Sequence, residues 1–174
     1  MKIATTVLAG AATLATAAAV GLAGAPAASA SNPITQPFGT QEQLTDVNGA
    51  LVTGYTVSNL KPSTDVIPYR VQGTLWEATA NVQAVRGTVT PIVADFNARA
   101  ASGQDYRELA TVPSAQGVNP APLGQGAQTT GKLYFDVVGP PPNSVVYNDG
   151  VQDVLLWVGG TPAASPNNGP VNGR

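Results

Sequence analysis

The sequence predicts an all-β fold: an immunoglobulin-like antiparallel β-sandwich of two sheets, preceded by a signal peptide. Three observations predict it. Short segments alternate apolar and polar side chains, the period of a strand with one buried and one wet face. Gly, Pro, Asn and Asp break these segments about every eight to twelve residues, the spacing of a sandwich of seven to nine short strands. Helix signals are almost absent, which removes architectures that need crossover helices.

The first thirty residues stand apart from this pattern. Lys2 supplies a positive start, and the run from Ile3 to Gly24 carries no charge. Pro26 then ends any helix, and Ala28-Ser29-Ala30 places small residues at the two recognition positions of a signal peptidase, so cleavage is expected after Ala30. The uncharged run is about long enough to cross a bilayer, but it is mostly Ala, Gly and Thr, which drive insertion weakly. The segment therefore reads as a cleaved signal. No twin arginine is present, which favours Sec over Tat export. Of 174 residues, 144 remain after removal of thirty, and a chain of that size buries roughly 68–70% of its unfolded surface. The chain has no cysteine, so a lipid anchor is ruled out and packing must supply the stability that disulfides give many exported domains. No second apolar run follows, and no membrane insertion is expected after cleavage.

Residues 31–158 carry the strand pattern. A first strand is expected over Gln36 to Thr45, closed by a hairpin at Asp46-Val47-Asn48-Gly49, where Asn-Gly supplies positive φ. The next runs from Leu51 to Asn59, with Leu51, Thr53, Tyr55 and Val57 on one face, until Lys61-Pro62-Ser63-Thr64 breaks it. Trp76 to Ala84 shows the clearest alternation: Trp76, Ala78, Ala80, Val82 and Ala84 inward, Glu77, Thr79, Asn81 and Gln83 outward. Val71 and Leu75 have the opposite parity, which a bulge near Gly73 would reconcile. Val85 to Phe96 reads as two short strands with Pro91 at a bend, Asn97 to Gly103 as a loop, and Tyr106 to Ala110 as a short strand. Val112 to Gly126 is the longest expected loop. In Thr130 to Val138, Leu133, Phe135 and Val137 point in while Lys132, Tyr134 and Asp136 point out. A brief strand through Val145 and Val146 leads to a turn at Asn148-Asp149-Gly150, and a buried strand from Val151 to Val158 follows. The Gly-, Pro- and Asn-rich tail, residues 159–174, is expected to be disordered.

The chemistry is bounded by a double absence: no histidine and no cysteine. Ser-His-Asp triads, cysteine nucleophiles, histidine bases and the common zinc sites are thereby removed. No catalytic residue, cofactor or metal is assigned. Glu77, Asp136 and Asp153 are the candidates for a carboxylate pair of the kind glycosidases use, but they read better as solvated or paired charges. Asp153 interrupts a nearly apolar strand and calls for a cation such as Arg86 or Lys132. A Ser-Lys dyad would need Lys61 or Lys132, and neither sits where its pKa would fall. Asp46-Val47-Asn48-Gly49 and Asn148 to Asp153 look loosely suited to calcium, but neither matches an EF-hand loop and turn chemistry explains both completely. Trp76, Phe96, Phe135 and Trp157 read as core, whereas Tyr69, Tyr106, Tyr134 and Tyr147 are expected to cover sheet edges or to make contacts. The formal net charge is −2, with no basic cluster among eight Lys and Arg, so nucleic acid is a poor partner.

Several of these segments resemble a known family. Ser63-Thr64-Asp65-Val66-Ile67-Pro68, Leu75-Trp76-Glu77-Ala78-Thr79-Ala80, Arg86-Gly87-Thr88-Val89-Thr90-Pro91 and Asp95-Phe96-Asn97-Ala98-Arg99 are similar to the mycobacterial small secreted immunogenic proteins, also called immunoprotective extracellular, immunoglobulin-like proteins. Thr130 to Val137 and Asp153 to Trp157 extend the match, which covers about Pro33 to Val158. The resemblance implies a two-sheet antiparallel sandwich, export to the medium or envelope, and recognition by the host immune system; it implies no activity. The expected function is a secreted, non-enzymatic interaction module, monomeric or weakly dimeric, with a protein partner on a host or cell-envelope surface. The alternatives are a carboxylate-based hydrolase of envelope glycans and a passive envelope component.

Overall fold

The computed structural model describes residues 33–159; the expected signal peptide and the tail beyond Gly159 lie outside these residues. Nine strands form two sheets packed face to face. They are β1 (Ile34–Pro37), β2 (Gln41–Asp46), β3 (Leu51–Pro62), β4 (Thr74–Arg86), β5 (Phe96–Ala100), β6 (Asp105–Arg107), β7 (Gln128–Val137), β8 (Pro142–Asn148) and β9 (Asp153–Val158). One sheet has the order β2-β3-β4-β7, and the other β1-β9-β8-β5-β6. All pairings are antiparallel except β1 with β9, which is parallel.

The parallel pair has a local cause. The expected single strand over Gln36 to Thr45 is divided at Gly39, whose φ is +89°. Phe38 N–H donates to Val158 of β9 at 3.1 Å, and Gly39 N–H donates to Val57 of β3 at 2.7 Å. The chain therefore leaves one sheet and enters the other within two residues, at a backbone angle that glycine adopts freely. The Asp46–Gly49 hairpin forms as expected, with positive φ at Val47, Asn48 and Gly49.

The alternating segments become the sheet interiors. Tyr55 and Val57 of β3, Ala78, Ala80 and Val82 of β4, and Leu133, Phe135 and Val137 of β7 meet Phe96, Ala98, Val145, Tyr147, Leu155 and Trp157 of the opposing sheet. The small alanines of β4 leave room for aromatic rings opposite. Phe96 packs edge-on against Tyr147 at 5.1 Å and against Tyr55 at 5.8 Å, the arrangement ring quadrupoles favour. Tyr55 donates its hydroxyl to that of Tyr147 at 3.3 Å, and Trp157 Nε1 donates to the Thr40 carbonyl at 3.0 Å. The buried polar ends of these aromatic side chains are thus partnered.

Four boundaries differ from the sequence expectation. β3 runs on to Pro62 past a register shift at Asn59, whose φ of 55° marks a bulge. No bulge occurs at Gly73: β4 pairs β7 in unbroken register from Thr74 to Gln83, and Leu75 stays on the outer face, where it is buried. β4 extends to Arg86, and the stretch after it makes only a single bridge, Val89 to Leu123, before a short 3-10 turn at Val93–Asp95. Finally, Phe96–Ala100 is a strand rather than a loop. Phe96, Ala98 and Ala100 face the core there, while Asn97 and Arg99 face out.

Gly131 shows how closely a loop is laid against β7. A Cβ placed there would stand 2.4 Å from the backbone of Gly117 and Val118, which cross it through the bridge between Gly117 and Lys132. Gly131→Ala is therefore expected to lower stability by about 1–3 kcal/mol, read as a shift in urea midpoint. Gly124→Ala, where a Cβ meets open space, should leave the midpoint unchanged.

Glu42 is the one buried carboxylate on β2, and neither of its oxygens has a hydrogen-bond partner. Burial pushes its pKa up to about 7. The folded state then holds this proton more tightly than the unfolded chain does, so the group favours folding at low pH and this contribution is lost as pH rises through about 7. Glu42→Gln should accordingly raise stability by about 1–3 kcal/mol at pH 8 and hardly at all at pH 4, measured by denaturation at both values.

Candidate functional site

The outer face of the four-stranded sheet is where charge gathers. Glu77 of β4 and Lys132, Tyr134 and Asp136 of β7 all project there, as their parity requires. The face is not left to solvent: Glu77 is only 7% exposed and Tyr134 4%. Two loops cover it, Ser63–Gly73 from one side and Glu108–Val118 from the other.

Lys132 organises the first loop. Its ammonium donates to Glu77 at 2.9 Å and to Asp65 of the loop. Tyr134 donates its hydroxyl to the same Asp65 oxygen at 2.7 Å, and Ser63 donates to Glu77 at 2.6 Å. Ser63 N–H also donates to the Leu75 carbonyl at 2.8 Å, which fastens the loop to the end of β4. At the far end, Asp136 accepts from the N–H of Gln72 at 2.8 Å and of Gly73 at 2.9 Å. Gly73 sits so close to Val137 that a Cβ there would lie 2.0 Å from its carbonyl oxygen; only glycine fits. Between these two anchorages the loop tip stands clear of the protein. Val66 is 99% exposed and Tyr69 36%, and Arg70 is exposed beside them. Tyr69 N–H donates back to Ile67 at 2.8 Å around Pro68, a γ-turn whose central φ the proline ring fixes.

The second loop closes the free edge of β7. Leu109 N–H donates to Tyr134, Lys132 N–H to Gln116, and Val118 N–H to Lys132, at 2.7 to 3.3 Å. This irregular segment satisfies backbone groups that would otherwise offer a pairing edge to another chain.

The electrostatics follow from these contacts. Hydrogen bonds from Lys132 and then Tyr134 hold Asp65 below the usual carboxylate range. Burial pushes Glu77 upward, but Ser63 and Lys132 outweigh it and the net shift is downward. Asp65 and then Glu77 in turn hold Lys132 charged. The group is an ionised trio with no loose proton at neutral pH, which suits anchoring and not acid–base catalysis.

The candidate carboxylates read from the sequence divide accordingly. Glu77 and Asp136 share a face, and each is engaged in holding the loop. Asp153 lies on the other sheet, and its cation is Arg99 at 2.6 Å, neither Arg86 nor Lys132. Arg99 also grips Asp105, so it ties β5 to β6 and, across β8, to β9; its hydrogen bonds hold Asp153 below the usual range. Arg86 instead donates to the Gly49 carbonyl at 2.9 Å. The oxygens of Asp46 and Asp149 turn inward to their own turns: Asp46 accepts from Val47, and Asp149 from Val151 and Gln152. Tyr106, Tyr134 and Tyr147 are buried, leaving Tyr69 as the exposed tyrosine among the described residues. The residues that sequence reasoning missed here are Asp65, which follows the expected break at Lys61 to Thr64, and Glu108, neither of which was assigned a role.

Lys132→Met should remove the shared cation from Asp65 and Glu77. Carboxylates with lowered pKa values stabilise the fold above their ordinary pKa values, 3.8 for Asp and 4.5 for Glu, and that contribution is lost as pH falls below them. Lys132→Met is therefore expected to lower the melting temperature at pH 7, and the gap from wild type should narrow at pH 3. A gap of equal size at both values would show that lost packing, not charge, is responsible.

Comparison with known proteins agrees with this architecture. A family model described as a domain of unknown function, DUF1942, matches residues 33–157. The immunogenic protein MPT63 of Mycobacterium tuberculosis and the immunogenic protein MPB63 of Mycobacterium bovis are each 49% identical to the chain over 141 residues, spanning 80% of it and 89% of the relative. The crystal structure of MPT63, there called a secreted protein, superimposes with a TM-score of 0.71 at 48% identity, covering 74% of this chain and 99% of that one. The sandwich and the extent of the match together place the chain in the DUF1942 family, with the mycobacterial immunogenic proteins MPT63 and MPB63 as relatives.

Proposed function

We propose that the protein is exported, with cleavage after Ala30, and acts as a non-enzymatic binding module. Its partner is a protein on a host or cell-envelope surface, engaged through the tip of the Ser63–Gly73 loop. The observation that carries this reading is a loop anchored at both ends by buried or half-buried side chains that nonetheless leaves Val66 99% exposed. Tyr69 and Arg70 flank it. Tyrosine and arginine are over-represented among the residues that dominate interface energies, and a tip already held in one conformation loses less entropy on binding. The leader sequence and the secreted, immunogenic relatives support a location where such a surface meets other cells.

The hydrolase alternative has less support. A glycosidase acid needs a raised pKa opposite a second carboxylate, whereas Glu77 and Asp153 are both lowered, and Asp136 is engaged with two backbone amides.

The test is a triple tip variant, V66S/Y69S/R70S, compared with wild type for capture of surface proteins from host cells and from the cell envelope. Because all three side chains are exposed, the melting temperature should stay the same. A specific partner should be lost or bound at least about tenfold more weakly, as for removal of interface hot spots. Equal capture by both proteins, or no partner above background with either, would overturn the proposal.

A further inference from the structure

On the opposite side of Lys132 and Tyr134 from the loop tip, the outer face of β7 forms the floor of a pocket of about 510 Å³. That is within the size range of small-molecule sites. The walls are the segments Pro91–Ala94 and Glu108–Pro120, so the lining is mostly aliphatic and proline, with Ile92, Leu109, Val112 and Val118 prominent. None of Val66, Tyr69 and Arg70 lines it.

Glu108 is the polar group in this lining that lacks a full set of partners. One carboxylate oxygen accepts a long bond from Tyr134 N–H at 3.4 Å; the other is buried with no partner at all. The lining contains one cation, Lys132, and its ammonium is taken by Asp65 and Glu77. Lys61 also stands 3.6 Å from Glu77, so these two carboxylates have two lysines, and the charge left without a cation is that of an ionised Glu108. The pocket therefore combines an apolar body with one carboxylate, Glu108, that no cation pairs among the described residues.

We propose that this pocket binds a small organic cation: an ammonium carried on an apolar body, the ammonium donating to Glu108 and the body lying against Ile92, Val112 and Val118. A neutral molecule of the same shape gains the apolar contacts but not the charge, and an anion is repelled. This site is independent of the surface-protein partner proposed above, since it uses none of the tip residues. Burial holds the Glu108 pKa at about 7 in the empty pocket, so a bound cation should draw that proton off, and binding should strengthen from pH 6 to pH 8.

Three probes with the same two-carbon phenyl body separate these cases: 2-phenylethylamine, 2-phenylethanol and phenylacetate, each titrated into the full folded protein with amide chemical shifts as readout. Expected are localised shifts at Ile92, Glu108, Ser114, Gly117 and Val118, with the amine binding about tenfold more tightly than the alcohol, the worth of a hydrogen bond to a charged group, and phenylacetate weakest. Glu108→Gln should reduce amine affinity to that of the alcohol and leave the alcohol unchanged. Ile92, 51% exposed on the rim, offers a second variant that does not depend on a buried substitution: I92K should weaken both by the lost apolar contact, and the amine several-fold more than the alcohol. An amine that binds no better than the alcohol, a phenylacetate that binds best, or shifts scattered over the surface would each overturn the assignment.

Discussion

A single ammonium on the outside of a sheet decides what this fold can present. The outer face of β4 and β7 would otherwise be an ordinary solvated surface. Lys132 converts it into a foundation, because its charge satisfies one carboxylate of the sheet, Glu77, and one of the loop, Asp65. With both engaged, the Ser63–Gly73 segment lies across the face, Leu75 and Glu77 become buried, and the loop tip is set apart from the body. The second loop depends on the same strand: its backbone bonds to Lys132 and Tyr134 and seals the edge of β7. Both covered sides of this face, and the pocket between the second loop and the sheet, therefore refer back to β7 and to the lysine at its middle.

Where the sequence was informative, one physical signal was at work. β4 and β7 alternate apolar residues on one face with polar ones on the other over ten or more residues, so period-two alternation identified them almost to their ends. β5 escaped because it is only five residues long and holds a single large apolar side chain, too short a run for its alternation to stand out. The division between β1 and β2 escaped because a single glycine carries it, and one glycine within a polar stretch does not announce a change of sheet. The site was harder to read. Alternation placed Glu77 on the outer face and was right about direction, yet it equated outward with wet. What covers an outward face is a loop more than fifty residues from β7 in sequence, and no local pattern records that. The Asp153 partner failed for the same reason: Arg99 lies two strands away across β8, and it was assigned to a loop.

The acidic residues illustrate how tertiary structure sorts groups of one chemical type. Asp46, Asp136 and Asp149 accept from backbone amides, while Asp65, Glu77, Asp105 and Asp153 face Lys132 or Arg99. The remaining three, Glu42, Asp95 and Glu108, are pushed upward by burial. Acid chemistry needs members of this third set, and none of them was a sequence candidate, because desolvation is created by neighbours that are remote in the chain. Their placement also bears on catalysis: Glu42 belongs to β2, at the far edge of the sheet from β7, so it offers no second carboxylate to Glu108.

The distribution of charge explains why a chain this poor in charged residues places so many of them against loops. A domain without disulfides must hold its loops by other means, and apolar anchors would add exposed hydrophobic surface whenever a loop opened. Ion pairs that are half-buried avoid this. They are stronger than fully exposed pairs because water screens them less, and they cost less desolvation than deeply buried ones. Lys132 and Arg99 both occupy this middle ground, at 25% and 26% side-chain exposure. Each also recruits two carboxylates, so one ordered cation holds two partners at once. The sealed edge and the anchored loop thus trace to one constraint, the placement of two cations on the outer faces of two sheets.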